Sequence, residues 1–413
     1  MTPEIIIIGG GVAAFNAIKS IREIDSDVIV HLIQNEPIYP YYRTRLTKSL
    51  FEDLDPDRIS LQKKEWYDKN NVNLHLGKEV IGIDTEKNTV SLDDGSCLKY
   101  SKLLLANGAS NFKPNIEGVN KENVFTIRKF EDIQAIKSKS DDKQTILHIG
   151  GGIQNLEAAW AFCSHDKRVI IVEFMDRLMP RQLDTRASEI LFKAVTSYNT
   201  KVLLSTEVIS ITGDDKVNAV TTRNRNSSES ISAEQSIACD MVIYSVGIRP
   251  NIKICDNTSI QISKGVIVDD HMRTNLDNIY AAGDITEYDG RVGGLWPIAI
   301  EQGKTSGYNL VGKDVSYTGI LPVTTMNAFN LNIFSIGTID EGSATLTLID
   351  DPGDNNSYKR IFFKNNTIIG AIVIGDTKHN NLLKKFVTDK SDISGLDLSN
   401  ISVNELLEHL KAM

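Results

Sequence analysis

The sequence predicts an α/β chain with two parallel-sheet units and a small α+β unit at its C-terminal end. Three observations carry this. Residues 4–18 (EIIIIGGGVAAFNAI) run from an unbroken apolar strand through Gly9, Gly10 and Gly11 into a helical pattern. Residues 145–161 (TILHIGGGIQNLEAAWA) repeat the arrangement, and after about residue 319 the pattern turns to short alternating segments. At ~150 residues per domain, a chain of 413 residues suggests about three domains. The expected boundaries are 1–113 with 240–318 for the first unit, 114–239 for the second and 319–413 for the third.

In the first turn the GxGxxG/A spacing falls on Gly9, Gly11 and Ala14, and each position has a physical task. Gly9 lets the chain reverse, Gly11 lets backbone N–H groups approach a pyrophosphate, and Ala14 lets the helix lie close on the strand. The helix N-terminus adds partial positive charge and unpaired donors. This is a Rossmann-type dinucleotide fold. The next strand, Val28 to Ile33, runs into Gln34-Asn35-Glu36, and Glu36 is the expected acceptor for ribose hydroxyls.

The second turn places Gly150 and Gly152 at the first two glycine positions but Asn155 at the third. That position needs room, so the Asn155 amide is expected to press on the strand. Glu173, at the tip of the following strand, is placed to accept from ribose hydroxyls and to repel a 2′-phosphate, favouring NADH over NADPH. Two mononucleotide folds imply two bound nucleotides.

Composition narrows the partners. A net charge of −9 and a pI near 5.4 argue against nucleic acid or an anionic membrane surface. The N-terminus lacks the features of a signal peptide and no apolar run reaches the ~18 residues of a membrane span, so a cytoplasmic protein is expected. Cys97, Cys163, Cys239 and Cys255 fit neither a zinc site nor a disulfide framework, and no metal is expected. No oligomeric state follows from the sequence.

Three further strand-to-glycine segments stand in order: LLLANGA at 103–109, YSVGIRPN at 244–251 and TNLDNIYAAGD at 274–284. Together with the two turns they resemble the pyridine-nucleotide-dependent flavoprotein reductases over about residues 1–318. The resemblance implies FAD at the first fold and NADH at the second. It assigns Ala106, Gly108, Gly283 and Asp284 to FAD, with the Asp284 carboxylate beside the ribityl chain. Asn107 departs from the threonine of the family motif. Residues 40–49 (PYYRTRLTKS) are similar to the segment that crosses the flavin in ferredoxin and rubredoxin reductases, which puts Arg43 and Lys48 near the cofactor. Val80 and Arg128 match FAD contacts more loosely. By the same resemblance Glu157 is the acid that reaches the nicotinamide, and Gly247 belongs to the NADH site.

The family branches that use a redox cysteine pair, a CxxC or a single active cysteine all place thiols where this chain has none. No catalytic side chain is therefore expected. Electrons would pass from NADH to the flavin and leave singly to an iron protein of rubredoxin type. The GGG…LEAAWA and Arg177–Asp184 (RLMPRQLD) segments are similar to NADH:rubredoxin oxidoreductases and to the flavin part of assimilatory nitrite reductases. Without downstream cysteine clusters, a complete nitrite reductase is not expected. Two alternatives remain: the NADH-oxidising flavin subunit of a larger iron–sulfur complex, and a redox-sensing flavoprotein similar to apoptosis-inducing factor.

In the last third, NIFSIGTI, ATLTLID, YKRIFFK and IIGAIVIGD read as an antiparallel sheet, and Ser402 to Glu405 reads as a capping box ahead of a closing helix.

Overall fold

A computed structural model describes residues 4–226 and 234–413. Residues 1–3 and 227–233 lie outside the described residues. The chain divides into two compact units: 1–112 with 128–131 and 247–320, and 113–127 with 132–246 and 321–413.

The first unit is built on a five-stranded parallel sheet in the order Ile279–Ala281, Lys102–Leu105, Glu4–Ile8, Ile29–Gln34, Val72–Leu76. Ile5 to Ile8 are buried on both faces, which is why that strand is apolar throughout instead of alternating. The helix Val12–Ile24 lies against the helix Trp296–Leu310. Gly303 and Gly307 make this approach possible: a Cβ at either would come within 2.3 and 2.4 Å of the carbonyl oxygens of Ala13 and Ala17.

The second unit repeats the plan. Its parallel sheet runs Thr200–Leu203, Arg168–Val172, Thr145–Ile149, Met241–Tyr244, Val124–Phe125. Met241–Tyr244 pairs with Thr145–Ile149, so residues 240–246 belong to this unit and not, as the sequence suggested, to the first. The reason is register: this strand supplies the central sheet's neighbour to the second turn, a long-range pairing with no local signature.

The C-terminal sheet is antiparallel, as expected, and has five strands. The helices Asn380–Asp389 and Val403–Ala412 bury Phe386, Val387, Leu406 and Leu410 in a common cluster with Phe334, Ile361 and Val373 of the sheet. The Ser402–Glu405 capping box is present with both of its hydrogen bonds. This subdomain covers the outer side of the helix Ile153–Cys163. Phe329 packs on Trp160 and Tyr198, with ring centroids 5.2 and 5.9 Å away. Arg360 and the Tyr358 hydroxyl both donate to the half-buried Asp184. Among the described residues no helix is long and apolar enough to cross a membrane.

Candidate functional site

In the first unit the strand Glu4–Ile8 delivers the chain to Gly9, which has φ +108°. A Cβ at Gly9 would lie 2.3 Å from the Ala106 carbonyl oxygen, so the turn is closed by the neighbouring LLLANGA segment. Gly11 faces open space: no heavy atom lies within 4 Å of where its Cβ would sit. It is also the N-cap of the helix, with no side chain capping it and no acid in the first turn. The first-turn N–H groups are thus left for a ligand, and an anion is the group that a helix N-terminus favours. Ala14 is fully buried against the strand.

Around this turn lies a charged network of residues that the sequence only partly joined. Glu36 is buried and accepts from Arg43 at 2.9 Å, from the Tyr41 hydroxyl at 2.9 Å and from the Phe130 N–H at 3.2 Å. Burial raises the Tyr41 hydroxyl far above its usual range, so it stays a donor. Arg43 also donates to the Arg128 carbonyl. Arg128 in turn pairs with Asp284 at 2.7 Å. Glu36, Arg43, Arg128 and Asp284 are therefore one chain of alternating charge. The strand tip is occupied by Gln34, not Glu36. Its amide donates to the Glu36 and Ile38 carbonyls, and its Oε1 lies over Gly10 with no partner among the described residues.

Gly108 has φ +66°, and the Arg128 guanidinium lies 3.7 Å from where its Cβ would stand. Asn107 and Asn251 hold each other, each side-chain amide donating to the other's carbonyl at 3.0 and 2.8 Å. The buried Asn107 Oδ1 has no partner among the described residues. Gly283, with φ +83°, donates its N–H to the buried Gln302, which sequence reading missed. Val80 is buried, Ala106 is buried, and Lys48 is exposed. Gly247, expected in the NADH site, falls in this first unit and has open space at its Cβ position.

The second turn is built the same way. A Cβ at Gly150 (φ +106°) would lie 2.5 Å from the Ser245 carbonyl oxygen, and Gly152 is an uncapped, open N-cap like Gly11. Glu173 is buried at the strand tip; one oxygen accepts from the Gly151 N–H and the other from the Met175 N–H at 2.7 Å. Glu157, on the helix Ile153–Cys163, is half-buried. Gln154 bridges the Ile127 carbonyl and the Ser245 hydroxyl, a contact with no sequence signal.

Asn155 does not press on the strand. Its Nδ2 donates to the carbonyls of Ile149 at 2.6 Å and Gly150 at 3.0 Å, and its Oδ1 lies 3.4 Å from His148 Nδ1. The space comes from its neighbour: the strand residue beneath it is a flat imidazole rather than a branched aliphatic chain. Burial lowers the His148 pKa to about 4, partly opposed by the Asn155 hydrogen bond, so the ring is neutral.

All four cysteines are free: Cys97 is exposed, Cys163 half-buried, and Cys239 and Cys255 buried. Burial, and then the nearby Asp240 and Asp256, push the thiols of Cys239 and Cys255 up to about 12 and about 11. Burial also raises Cys163, whose Sγ lies 3.0 Å from the Thr200 hydroxyl. Such thiols are protonated and poor nucleophiles.

Residues 3–303 match the family model described as pyridine nucleotide-disulphide oxidoreductase. The chain belongs to that family. Membership gives this oxidoreductase its two cofactors, FAD and NADH, and the two open, uncapped helix N-termini fit a pair of dinucleotides. Residues 322–391 match a second model, the rubredoxin NAD+ reductase C-terminal domain. Among curated proteins the chain is 30% identical over 402 residues to a nitrite reductase [NAD(P)H] of Bacillus subtilis, covering 97% of this chain and 49% of that protein. The chain thus spans about half the length of that family relative. It is 29% identical over 403 residues to the NADH-rubredoxin oxidoreductase of Clostridium acetobutylicum, covering 98% of this chain and 99% of that one. The solved structure of NADH:rubredoxin oxidoreductase from that organism superposes on the family fold seen here with a TM-score of 0.78 at 28% identity, over 98% of this chain and 99% of the other.

Proposed function

We propose that this chain accepts hydride from NADH and passes electrons singly to a small iron protein of rubredoxin type. The observation that carries the reading is a C-terminal subdomain of rubredoxin-reductase type in a chain that also carries two open glycine turns. FAD, when bound, supplies the conversion of a two-electron donor into one-electron exits.

The chain's own residues bind, orient and insulate. Gly9, Gly11 and Ala14 place the N–H groups of the Val12–Ile24 helix toward the FAD pyrophosphate, with Ala106, Gly108 and Gly283 giving close backbone approach. Asp284 is offered to the ribityl hydroxyls, which would share it with Arg128. Arg43 stays oriented by Glu36, so Glu36 acts through that arginine. Gly150 and Gly152 serve the NADH pyrophosphate, Glu173 its adenosine ribose and Glu157 its nicotinamide end. Burial makes Cys163, Cys239 and Cys255 poor nucleophiles and all four cysteines are unbridged, which supports direct electron exit. We place the protein in the cytoplasm, a reading supported by four unbridged cysteines.

Stopped-flow mixing of the NADH-reduced protein with rubredoxin, ferredoxin, oxygen and disulfides tests this. Rubredoxin should reoxidise it fastest. Faster reoxidation by disulfides than by either iron protein would sink the reading. A second reading, a flavin subunit within a larger iron–sulfur complex, is favoured by the chain spanning half of the nitrite reductase it matches. Co-purification of stoichiometric partner subunits would select it.

A further inference from the structure

The strand tip that carries Glu173 continues into an exposed aromatic ring with a cation fixed upon it. Phe174 keeps 48% of its surface exposed. The Arg225 guanidinium carbon lies 3.8 Å from that ring's centroid, and its Nη1 donates to the Phe174 carbonyl at 3.2 Å. The backbone on both sides is knit together. The Arg225 N–H donates to the Ser205 carbonyl, the Ser205 N–H to the Met175 carbonyl, and the Thr206 N–H to the Glu173 carbonyl, at 2.8, 2.8 and 2.9 Å. Arg223, two residues earlier, is spent on Glu234 at 2.6 Å. Arg225 makes no salt bridge among the described residues, and its outer face is exposed. Ordering a long arginine costs rotamer freedom that one exposed cation–π contact returns only in part. The arrangement suits a ligand that uses the plane.

We propose that Phe174 and Arg225 form a stacking plate for the adenine of NADH, with the guanidinium sandwiched between the phenyl ring and the purine. This rests on the NADH reading of the second turn. Glu173 fixes the adenosine ribose, and Phe174 is the next residue beyond it, so the base attached to that ribose arrives at this plate. The chemistry favours a neutral aromatic base over an added 2′-phosphate. The Glu173 carboxylate stands beside the plate and repels a second anion, and part of the guanidinium fork is already committed to a carbonyl. What remains free is a flat, cationic face, which binds a π-surface.

The test uses the FAD-loaded protein and binding fragments rather than turnover. Calorimetry with ADP-ribose should show affinity falling about tenfold for Arg225→Ala, the scale of one base-stacking contact. Arg225→Lys keeps the charge without the plane and should recover little of it. Nicotinamide mononucleotide should bind all three proteins equally. Unchanged ADP-ribose affinity in Arg225→Ala overturns the plate alone. Loss confined to 2′-phospho-ADP-ribose assigns the cation to a phosphate and also overturns it, as does parallel weakening of nicotinamide mononucleotide, which would mark a structural role. A wild-type protein that binds no ADP-ribose overturns the plate and the NADH assignment together.

Discussion

Beneath the first glycine turn, Ile7 and Ala14 meet within one apolar cluster. Beneath the second, His148 and Asn155 stand in the same two positions, one residue before and six residues after the strand's last member. Both pairs are essentially buried, yet one is held by dispersion and the other by hydrogen bonds to the turn's own carbonyls. The strand tips differ in the opposite sense. The first ends in neutral Gln34 and the second is followed by the carboxylate Glu173. The comparison teaches that the third glycine position is decided by volume shared with the strand below, so a polar residue fits when the strand supplies a flat partner.

The largest effects should come from the closed glycines. Gly9→Ala and Gly150→Ala each force a Cβ into a carbonyl oxygen at positive φ, and should cost about 3 kcal/mol or more of stability in urea unfolding. Gly11→Ala and Gly152→Ala meet nothing within the protein. They should leave apo-protein stability within about 0.5 kcal/mol, while FAD and NADH titrations show weakened binding at the matching turn. Equal destabilisation by all four would break the account of the open cradles.

Next in size, Asn155→Ala removes two buried N–H···O bonds and should cost about 2 to 3 kcal/mol, whereas Ala14→Gly in the first turn should cost about 1 kcal/mol. If Asn155→Ala stabilises the protein, the residue is a steric burden after all.

The last difference concerns pH. His148 has its pKa lowered in the folded state to about 4 from the ordinary 6.5. Below pH 6.5 the unfolded chain takes up a proton that the folded chain refuses, so stability is lost as pH falls from about 6.5 toward 4. The loss should reach about 2 kcal/mol at pH 5. His31 and His75, in the other unit, are also lowered by burial, so the measurement is the difference between wild type and His148→Leu. Identical pH profiles for the two proteins would remove His148 from the account.

Much of this was legible because it is local. Glycine spacing, the apolar strands feeding it, Glu173 and the Ser402 capping box each declare themselves within a few residues. What failed to show was set by register. The helix Val12–Ile24 has 13 residues and its counterpart Ile153–Cys163 has 11, so the acid-bearing position is displaced by two. Strand pairing of Ile8 with Ile33 and of Ile149 with Val172 makes Gln34 the counterpart of Glu173, while Glu36 turns back to hold Arg43. The Arg128–Asp284 pair joins residues 156 positions apart, and the Phe174–Arg225 plate joins two elements through a ring face. Neither leaves a trace in spacing.

The central claim is that the two turns hold FAD and NADH so that one reduces the other. Anaerobic titration of the FAD-loaded protein with NADH tests it most directly. The account predicts stoichiometric bleaching of the flavin absorbance by NADH, with NADPH much less effective; a spectrum unchanged by excess NADH would contradict it.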